Sequence, residues 1–191
     1  MQTNRLFFLV PCGRAVSLLP KSNFVYVGVS LDGYIATADH GLDWLAEALN
    51  PEGSDLGYAD SLAGIDALIM GRKTFDVVLS FAEWSYTKPV FVLSGSVVDI
   101  PKKLQAKVEV VCGDLENLVR ELNQRGYENL YIDGGLTIQN FLRADLVDEM
   151  IITTLPVLLG GGIPLFADLK QSLKFHHRKT EVLLGQLVKS H

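Results

Sequence analysis

The chain has 191 residues, of which 48% are hydrophobic and 20% are charged, and its formal net charge is −5. This length fits a single domain whose core needs neither disulfides nor a metal to fold. The acidic balance argues against a general nucleic-acid binder, because such proteins are usually basic. No apolar run reaches the ~18 residues of a membrane span. Cys12 and Cys112 lack CxxC spacing, which predicts two free thiols and a cytoplasmic location.

The first 21 residues are predicted to be a poorly ordered extension, and the folded domain is predicted to occupy residues 22–191. The longest apolar run in the extension is residues 6–10. This run is shorter than the roughly 7–15 apolar residues of a secretory signal. No clean cleavage site follows it, so we do not expect an export signal.

Strand and helix patterns alternate along the chain up to residue 156. Strands are predicted at residues 24–30, 67–70, 89–93, 108–111, 129–132 and 149–156, and helices at residues 43–49, 58–65, 74–79, 114–125 and 137–143. The clearest helix is 114–125, which Asp114 can cap. The tail from residue 173 to 191 is predicted to form two strands joined near residue 185. This order predicts an α/β fold with about eight strands, mostly parallel, helices on both faces and a C-terminal antiparallel hairpin.

Four short segments carry most of the functional signal, namely residues 30–36, 69–74, 92–96 and 131–135. In the last three, an apolar run ends in glycine, a hydroxyl or a basic side chain. Such residues line the carboxyl edge of an open α/β sheet when that edge binds a phosphorylated ligand. We therefore expect these three strand ends to converge on one ligand.

The segment that begins at Gly71 combines several features of a phosphate site. Gly71 lets the backbone approach a ligand closely, and the N–H groups of the following helix point toward an anion. Arg72 and Lys73 add positive charge, and Thr74 can cap the helix or donate to phosphate. With Ser94 nearby, Arg72 would form a 2′-phosphate site that favours NADPH over NADH.

Glycines in two other segments suggest contacts with the same ligand. Gly134 and Gly135 come before a predicted helix and could form a cradle for a diphosphate. Residues 160–162 are three consecutive glycines, which could form a loop that closes on the ligand or a plain linker. No metal site is predicted, because the adjacent His176 and His177 would face opposite sides of a strand.

Two acidic residues are candidates for acid catalysis. Asp32 follows the first predicted strand and could bind or protonate a substrate amine or carbonyl. The alternative for Asp32 is an ordinary Asp-Gly turn. Asp55 is the second candidate acid and precedes the strand that ends at Gly71.

As an ordered set, these segments resemble the dihydrofolate-reductase-like superfamily. They resemble more closely the reductase domain of the bifunctional riboflavin-biosynthesis deaminase–reductase, from about residue 22 to the C-terminus. The resemblance implies an NADPH site. By matching motif, its cofactor-binding residues would be Val29, Ser30, Ile35, Ala36, Gly71, Arg72, Lys73, Thr74, Leu93, Ser94, Gly95, Ile132, Gly134, Gly135, Leu136 and Thr137.

The resemblance also implies a reaction, namely hydride transfer from NADPH to a heterocyclic or ribosylamine-type substrate. We expect this small molecule to contact Asp32, Trp44, Tyr58, Leu159, Gly160 and Gly161. The zinc motif of the deaminase half is absent from the sequence. Two alternatives are a dihydrofolate reductase and a non-catalytic nucleotide-binding module of the same fold. The apolar C-terminal hairpin predicts a homodimer, because an edge strand is easily used as an interface.

Overall fold

The computed structural model describes residues 21–46 and 54–191. Almost all of the predicted N-terminal extension, and residues 47–49 of the first predicted helix, lie outside the described residues. The strands are β1 Ser22–Ser30, β2 Tyr34–Ala36, β3 Ala67–Gly71, β4 Val90–Leu93, β5 Val108–Val111, β6 Asn129–Asp133, β7 Glu149–Leu155, β8 Ile163–Pro164, β9 Thr180–Leu183 and β10 Leu187–Ser190. The helices are α1 Asp43–Ala46, α2 Tyr58–Leu62, α3 Arg72–Leu79, α4 Leu115–Gln124 and α5 Gly135–Arg143, with a 3₁₀ turn at Lys102–Leu104.

Eight strands form one sheet in the order β5-β4-β3-β6-β1-β7-β10-β9. Neighbouring strands from β5 to β7 are parallel, whereas β10 runs antiparallel to both β7 and β9. Short strands β2 and β8 form a separate antiparallel pair. This arrangement confirms the predicted α/β class, the mostly parallel sheet and the C-terminal hairpin.

Helices cover both faces of the parallel half of the sheet. On one face, Leu122 of α4 and Phe141 of α5 are fully buried in a cluster with Ile132. On the other, Phe75 of α3 is fully buried in a cluster with Met70. As predicted, Asp114 caps α4, because its carboxylate accepts a hydrogen bond from the Asn117 amide at 3.0 Å.

Strand β1 lies beside β6 at its start and then separates from it. The two strands pair only over the first three residues of β1, from Ser22 to Phe24. By contrast, β1 pairs with β7 from Phe24 to Ser30. The carboxyl half of β1 therefore no longer pairs with β6, and the gap between these two strand ends, beside Asp133, is called the crevice below. Ligands of open α/β sheets bind in such a crevice at the carboxyl ends of the strands.

Candidate functional site

Two helices begin at the carboxyl edge with their first N–H groups uncapped by side chains. Helix α3 follows β3 directly and its N-cap is Gly71, while α5 follows β6 and its N-cap is Gly134. Neither N-cap residue has a side chain to satisfy the amides of the first turn. Both helix starts therefore present free donors and a partial positive charge to an anion.

The two helix starts pack directly against each other. A Cβ on Gly134, whose φ is 91°, would overlap the side chain of Thr74. A Cβ on Gly71 would lie 2.9 Å from Thr137 Oγ1. Four predicted cofactor residues, one glycine and one threonine from each helix start, thus meet at one place. Gly71 and Gly134 are required there, because a larger residue would clash with the threonine of the other helix start.

Strand β2 and the glycine loop lie against the start of α5. A Cβ on Gly135 would lie 3.1 Å from Ile35 Cδ1 and 2.7 Å from Ile163 Cγ2. A Cβ on Gly162 would overlap the carbonyl of Ala36. The structure therefore places Ile35 next to the predicted cradle and Ala36 against the glycine loop.

Arg72 links the start of α3 to the loop after β4. Its Nε lies 3.1 Å from each carboxylate oxygen of Asp76, and its Nη1 donates to the Val97 carbonyl at 3.1 Å. In that loop the Ser94 hydroxyl donates to the Ser96 carbonyl at 2.9 Å. The Nη2 of Arg72 makes no hydrogen bond to any residue that the structure describes.

The ends of β4 and β5 enclose a cleft of about 460 Å³ beside this loop. Its lining includes the predicted residues Leu93, Ser94 and Gly95. The sequence analysis missed its other residues, which are Cys112, Gly113, Asp114, Leu115 and Asn140. The signal was available, because the predicted strand 108–111 also ends in a small residue, a glycine and an acid.

Asp32 anchors the start of the loop that contains the three glycines. Its carboxylate accepts hydrogen bonds from the Ser30 hydroxyl at 2.6 Å, the Leu159 amide at 3.1 Å and the Gly160 amide at 2.7 Å. The Ser30 hydroxyl, followed by these two amides, holds the pKa of Asp32 below its usual range. An exposed, ionised carboxylate is poorly suited to donate a proton. The geometry therefore favours a positioning role over the predicted role as an acid.

Asp55 and Trp44, two other predicted site residues, contact a helix start and a hydrophobic cluster. Asp55 is exposed and accepts hydrogen bonds from the amides of Gly57 and Ala59, each at 2.9 Å, at the start of α2. The Ala59 amide, followed by that of Gly57, lowers the pKa of Asp55. Trp44 is buried in a cluster with Leu187 and other apolar residues of the β7–β10 half of the sheet. Both predicted residues thus stabilise local structure.

Asp133 is the acid that the sequence analysis did not select. It ends β6, borders the crevice and accepts a hydrogen bond from the Tyr86 hydroxyl at 3.3 Å. Burial raises the pKa of Asp133, although hydrogen bonds from the Gly134 amide and from Tyr86 act in the opposite direction. This carboxyl group therefore keeps its proton to a higher pH than an exposed one does. A shielded acid at a crevice is a common feature of a functional site.

Aromatic rings surround Asp133 below the crevice. The rings of Tyr58 and Tyr131 are 6.4 Å apart, and those of Trp84 and Tyr86 are 5.3 Å apart. Burial, followed by the negative charge of Asp133, raises the pKa of Tyr58 to about 12. The indole Nε1 of Trp84 is buried without a hydrogen-bond partner among the described residues. Tyr58, one of the predicted substrate residues, is therefore among the aromatic rings around Asp133.

The remaining predicted cofactor residues differ in exposure. Ile132 is fully buried and Val29 nearly so, so their side chains belong to the core. Leu136 is 67% exposed and Lys73 is also exposed, so both could be reached by a ligand. Among residues 21–46 and 54–191, no group of His, Cys, Asp and Glu could hold a metal ion. No helix in these ranges is long and apolar enough to cross a membrane.

Sequence comparisons relate the chain to a family of reductases. Residues 24–189 match the family model described as the RibD C-terminal domain. The chain is 36% identical over 177 residues to the uncharacterized protein YwjB of Bacillus subtilis, covering 91% of this chain and 98% of that protein. A stretch of 64 residues is 41% identical to the 2,5-diamino-6-ribosylamino-4(3H)-pyrimidinone 5′-phosphate reductase of Aquifex aeolicus, covering 31% of this chain and 29% of that enzyme.

Structure comparisons agree with the sequence matches. A protein of Shewanella sp. PV-4, provisionally assigned to riboflavin biosynthesis, is 49% identical with a TM-score of 0.85, covering 88% of this chain and 96% of that one. The dihydrofolate reductase of Enterococcus faecalis, solved with NADP(H), is 16% identical with a TM-score of 0.60, covering 89% of this chain and 95% of that one. The second likeness concerns the fold alone and confirms the predicted dihydrofolate-reductase-like architecture.

Proposed function

Because the chain belongs to the RibD C-terminal domain family, we propose that it is an NADPH-dependent reductase of the riboflavin-biosynthesis type. The observation that carries this proposal is one juxtaposition at the carboxyl edge. Two uncapped helix starts meet there at paired glycines, next to a crevice that holds the shielded carboxyl group of Asp133. The Aquifex relative, a reductase by name, supports the same reaction class.

The residues at this edge fit a dinucleotide with a 2′-phosphate. The starts of α3 and α5 would hold the diphosphate, with Thr74 and Thr137 beside it. The cleft at Ser94 would hold the adenosine end, where Arg72 Nη2, which has no hydrogen-bond partner among the described residues, can pair with the 2′-phosphate. When bound, NADPH supplies the hydride, and the protein supplies orientation and electrostatics.

Asp133 is the residue that we propose as the proton or hydrogen-bond donor to the substrate in this reaction. The proposed substrate is a pyrimidine that carries a ribosylamine, whose ring-opened form has an electrophilic C=N carbon. Addition of a hydride to that carbon requires one proton at the nitrogen, and the C=N double bond becomes a C–N single bond. Asp133 holds its proton above the usual carboxyl range and borders the crevice, so it can donate that proton or a hydrogen bond. Tyr86 orients its carboxyl group.

Cofactor titration followed by tryptophan fluorescence tests the proposed binding site. Trp84 packs against Tyr86 and is expected to report binding at the crevice. We expect NADPH to bind about tenfold more tightly than NADH, which corresponds to about 1.4 kcal/mol. Arg72→Ala should remove most of this preference, whereas Arg120→Ala, a change at an exposed arginine of α4, should preserve it. Absence of binding by either cofactor to a folded sample would contradict the proposal.

Turnover separates the riboflavin-type reductase from its alternatives. Consumption of NADPH with a ribosylaminopyrimidine phosphate, and none with dihydrofolate, is the expected result. The reverse pattern would identify a dihydrofolate reductase. Cofactor binding without turnover of either substrate would favour a non-catalytic module. In both cases the assignment of Asp133 as the acid for a ribosylamine would be withdrawn.

A further inference from the structure

The turn before α2 holds two consecutive residues in the left-handed region of backbone conformation. Leu56 has a φ of 56° and Gly57 has a φ of 82°. A leucine rarely adopts this conformation, so its surroundings must hold it there. The next residue is Tyr58, which begins α2 and is one of the aromatic rings around Asp133. The contacts that fix this turn therefore also fix a ring beside the proposed acid.

Two side chains from different strands fix the turn through one carbonyl oxygen. The backbone oxygen of Leu56 accepts a hydrogen bond from the Tyr26 hydroxyl of β1 at 3.1 Å and another from Lys189 Nζ of β10 at 2.9 Å. Gly57 leaves room for the ammonium group, because a Cβ on this glycine would lie 3.1 Å from Lys189 Nζ. A carbonyl oxygen has two lone pairs, so the two donors occupy it fully.

The Tyr26 ring connects the turn to the residues around Asp133. It packs edge-on against the Tyr58 ring, with centroids 5.4 Å apart. The backbone oxygen of Tyr26 accepts a hydrogen bond from the Tyr131 hydroxyl at 2.9 Å. Burial, followed by the charge of Asp133, raises the pKa of Tyr58 to about 12, so this ring lies within reach of that carboxyl group. A continuous set of contacts thus leads from Lys189 to the crevice.

The surroundings of Lys189 favour a positioning role over charge pairing. It is partly buried, and it lies beside Glu181 of β9 in the strand register. Its charge acts on both Asp55 and Glu181. Its hydrogen bond nevertheless goes to the neutral carbonyl of Leu56. A carbonyl is a weaker partner for an ammonium group than a carboxylate is, so the geometry of the turn accounts for this contact better than charge does.

We propose that Lys189 is a positioning residue, which holds the Leu56 carbonyl and thereby places the Tyr58 ring against the substrate in the crevice, an inference that rests on the proposed function. Lys189 is not a catalytic residue, because its contact is with the turn. The proposed cofactor site lies at the starts of α3 and α5, which are not part of this set of contacts. Loss of Lys189 should therefore weaken the substrate complex and spare the binding of NADPH.

Steady-state kinetics of Lys189→Met with NADPH and a ribosylaminopyrimidine phosphate test the proposal. Methionine keeps an unbranched side chain but removes the donor. We expect the KM for the substrate to rise about fivefold or more and the KM for NADPH to stay within about twofold. A purely structural loss would lower the amount of active enzyme, and with it the apparent kcat, but would change neither KM.

Two further variants support this comparison. Tyr26→Phe removes the other donor to Leu56 and keeps the ring, so it should also raise the KM for the substrate. Lys179→Met is the matched control, at an exposed lysine of the same hairpin whose Nζ lies 2.9 Å from a carboxylate oxygen of Glu181. It should leave both KM values as in the wild type.

A double variant shows whether Lys189 acts through Tyr58. Tyr58→Leu alone should raise the KM for the substrate. Adding Lys189→Met to it should change this KM by less than about twofold, because the ring that Lys189 positions is already absent. An unchanged KM for the substrate in Lys189→Met or in Tyr58→Leu would overturn the proposal. Equal effects of Lys189→Met with and without Tyr58 would overturn it as well.

Hydrogen exchange separates this proposal from a failure of the proposed function. The Gly57 and Ala59 amides donate to the Asp55 carboxylate within the turn, and their exchange should accelerate about tenfold or more in Lys189→Met. Lys179→Met should leave them unchanged. If the chain turns over no substrate and these amides still accelerate, the proposed function fails and the placement of the turn by Lys189 stands. Unchanged exchange in Lys189→Met would overturn that placement whether or not turnover is seen.

Discussion

The dipeptide Asp-Gly occurs twice at the carboxyl edge, in two very different surroundings. Asp32 lies in the turn after β1, whereas Asp133 is the last residue of β6, and the glycines that follow them have φ angles of 87° and 91°. Asp32 is exposed and its carboxylate accepts three hydrogen bonds, which lower its pKa. Asp133 is shielded, and burial raises its pKa. The same dipeptide thus gives a loop-anchoring carboxylate with a lowered pKa in one place and a carboxyl group with a raised pKa in the other.

The largest expected difference between the two Asp-Gly dipeptides concerns the effect of replacing their glycines on protein stability. Gly134→Ala forces a residue with a Cβ into a positive φ and against Thr74, whereas a Cβ on Gly33 would meet no atom within 4 Å. We expect Gly33→Ala to cost about 1 kcal/mol from the backbone conformation alone. Gly134→Ala should cost about 3 kcal/mol, because the new Cβ also overpacks against Thr74 in addition to the strained backbone conformation. Urea unfolding of both variants measures this, and equal losses would mean that the contact with Thr74 relaxes freely.

The second prediction compares the two acids in the proposed reaction. Asp133→Asn should lower kcat/KM by about 100-fold, a typical contribution of a general acid. Asp32→Asn should change it by less than about fivefold, because this carboxylate is predicted to act only through the loop. Steady-state kinetics with a ribosylaminopyrimidine phosphate provides the measurement. A larger loss in Asp32→Asn than in Asp133→Asn would return the acid role to Asp32.

The third prediction concerns the pH dependence of stability. The folded-state pKa of Asp133 is raised, so its contribution to stability is complete below the unfolded value of about 3.9 and is lost as pH rises through the folded pKa. The folded-state pKa of Asp32 is lowered, so its contribution is present above about 3.9 and is lost as pH falls. Asp133→Asn should therefore lose less stability than wild type as pH rises from 4. Asp32→Asn should lose less as pH falls below 4.

Unfolding free energies from urea titrations across this pH range test both signs. Asp39→Asn is a control for an exposed aspartate with a lowered pKa, which the Thr37 hydroxyl and the Gly41 amide produce away from the site. It should resemble Asp32→Asn and differ from Asp133→Asn. Parallel pH curves for Asp133→Asn and wild type would show that the Asp133 carboxyl group titrates normally.

The smallest expected effect is local and concerns the loop that Asp32 holds. Asp32→Ala removes the acceptor of the Leu159 and Gly160 amides, so hydrogen exchange of these two amides should accelerate by about tenfold or more. Asp39→Ala removes a similar turn contact elsewhere and should leave these two amides unchanged. Unchanged exchange in Asp32→Ala would mean that the loop is held by other contacts.

Part of the site was predictable from residue types alone. Glycine is required where Gly71 and Gly134 meet Thr137 and Thr74, and a glycine at a strand end before a helix is visible in any sequence. The hydroxyl of Ser94 and the basic side chain of Arg72 likewise predict a 2′-phosphate site from residue types, and that assignment stays a prediction. The hydrogen bonds of Arg72 with Asp76 and Val97 were not predictable, because they depend on the path of the loop after β4.

The amino-acid sequence by itself determined the α/β class, the order of strands and helices, and the glycine-rich cradle, because periodicity and backbone freedom are local properties. Only the tertiary structure decided which acid is shielded. Tyr86 donates a hydrogen bond to Asp133, and Tyr58 lies close enough to respond to its charge; both are distant in the sequence and come from the segment after α3 and from helix α2. The tertiary structure also decided which valines remain open to solvent, since the exposure of Val182 depends on which strands the helices cover. Burial is a property of neighbours in space, and no local pattern encodes it.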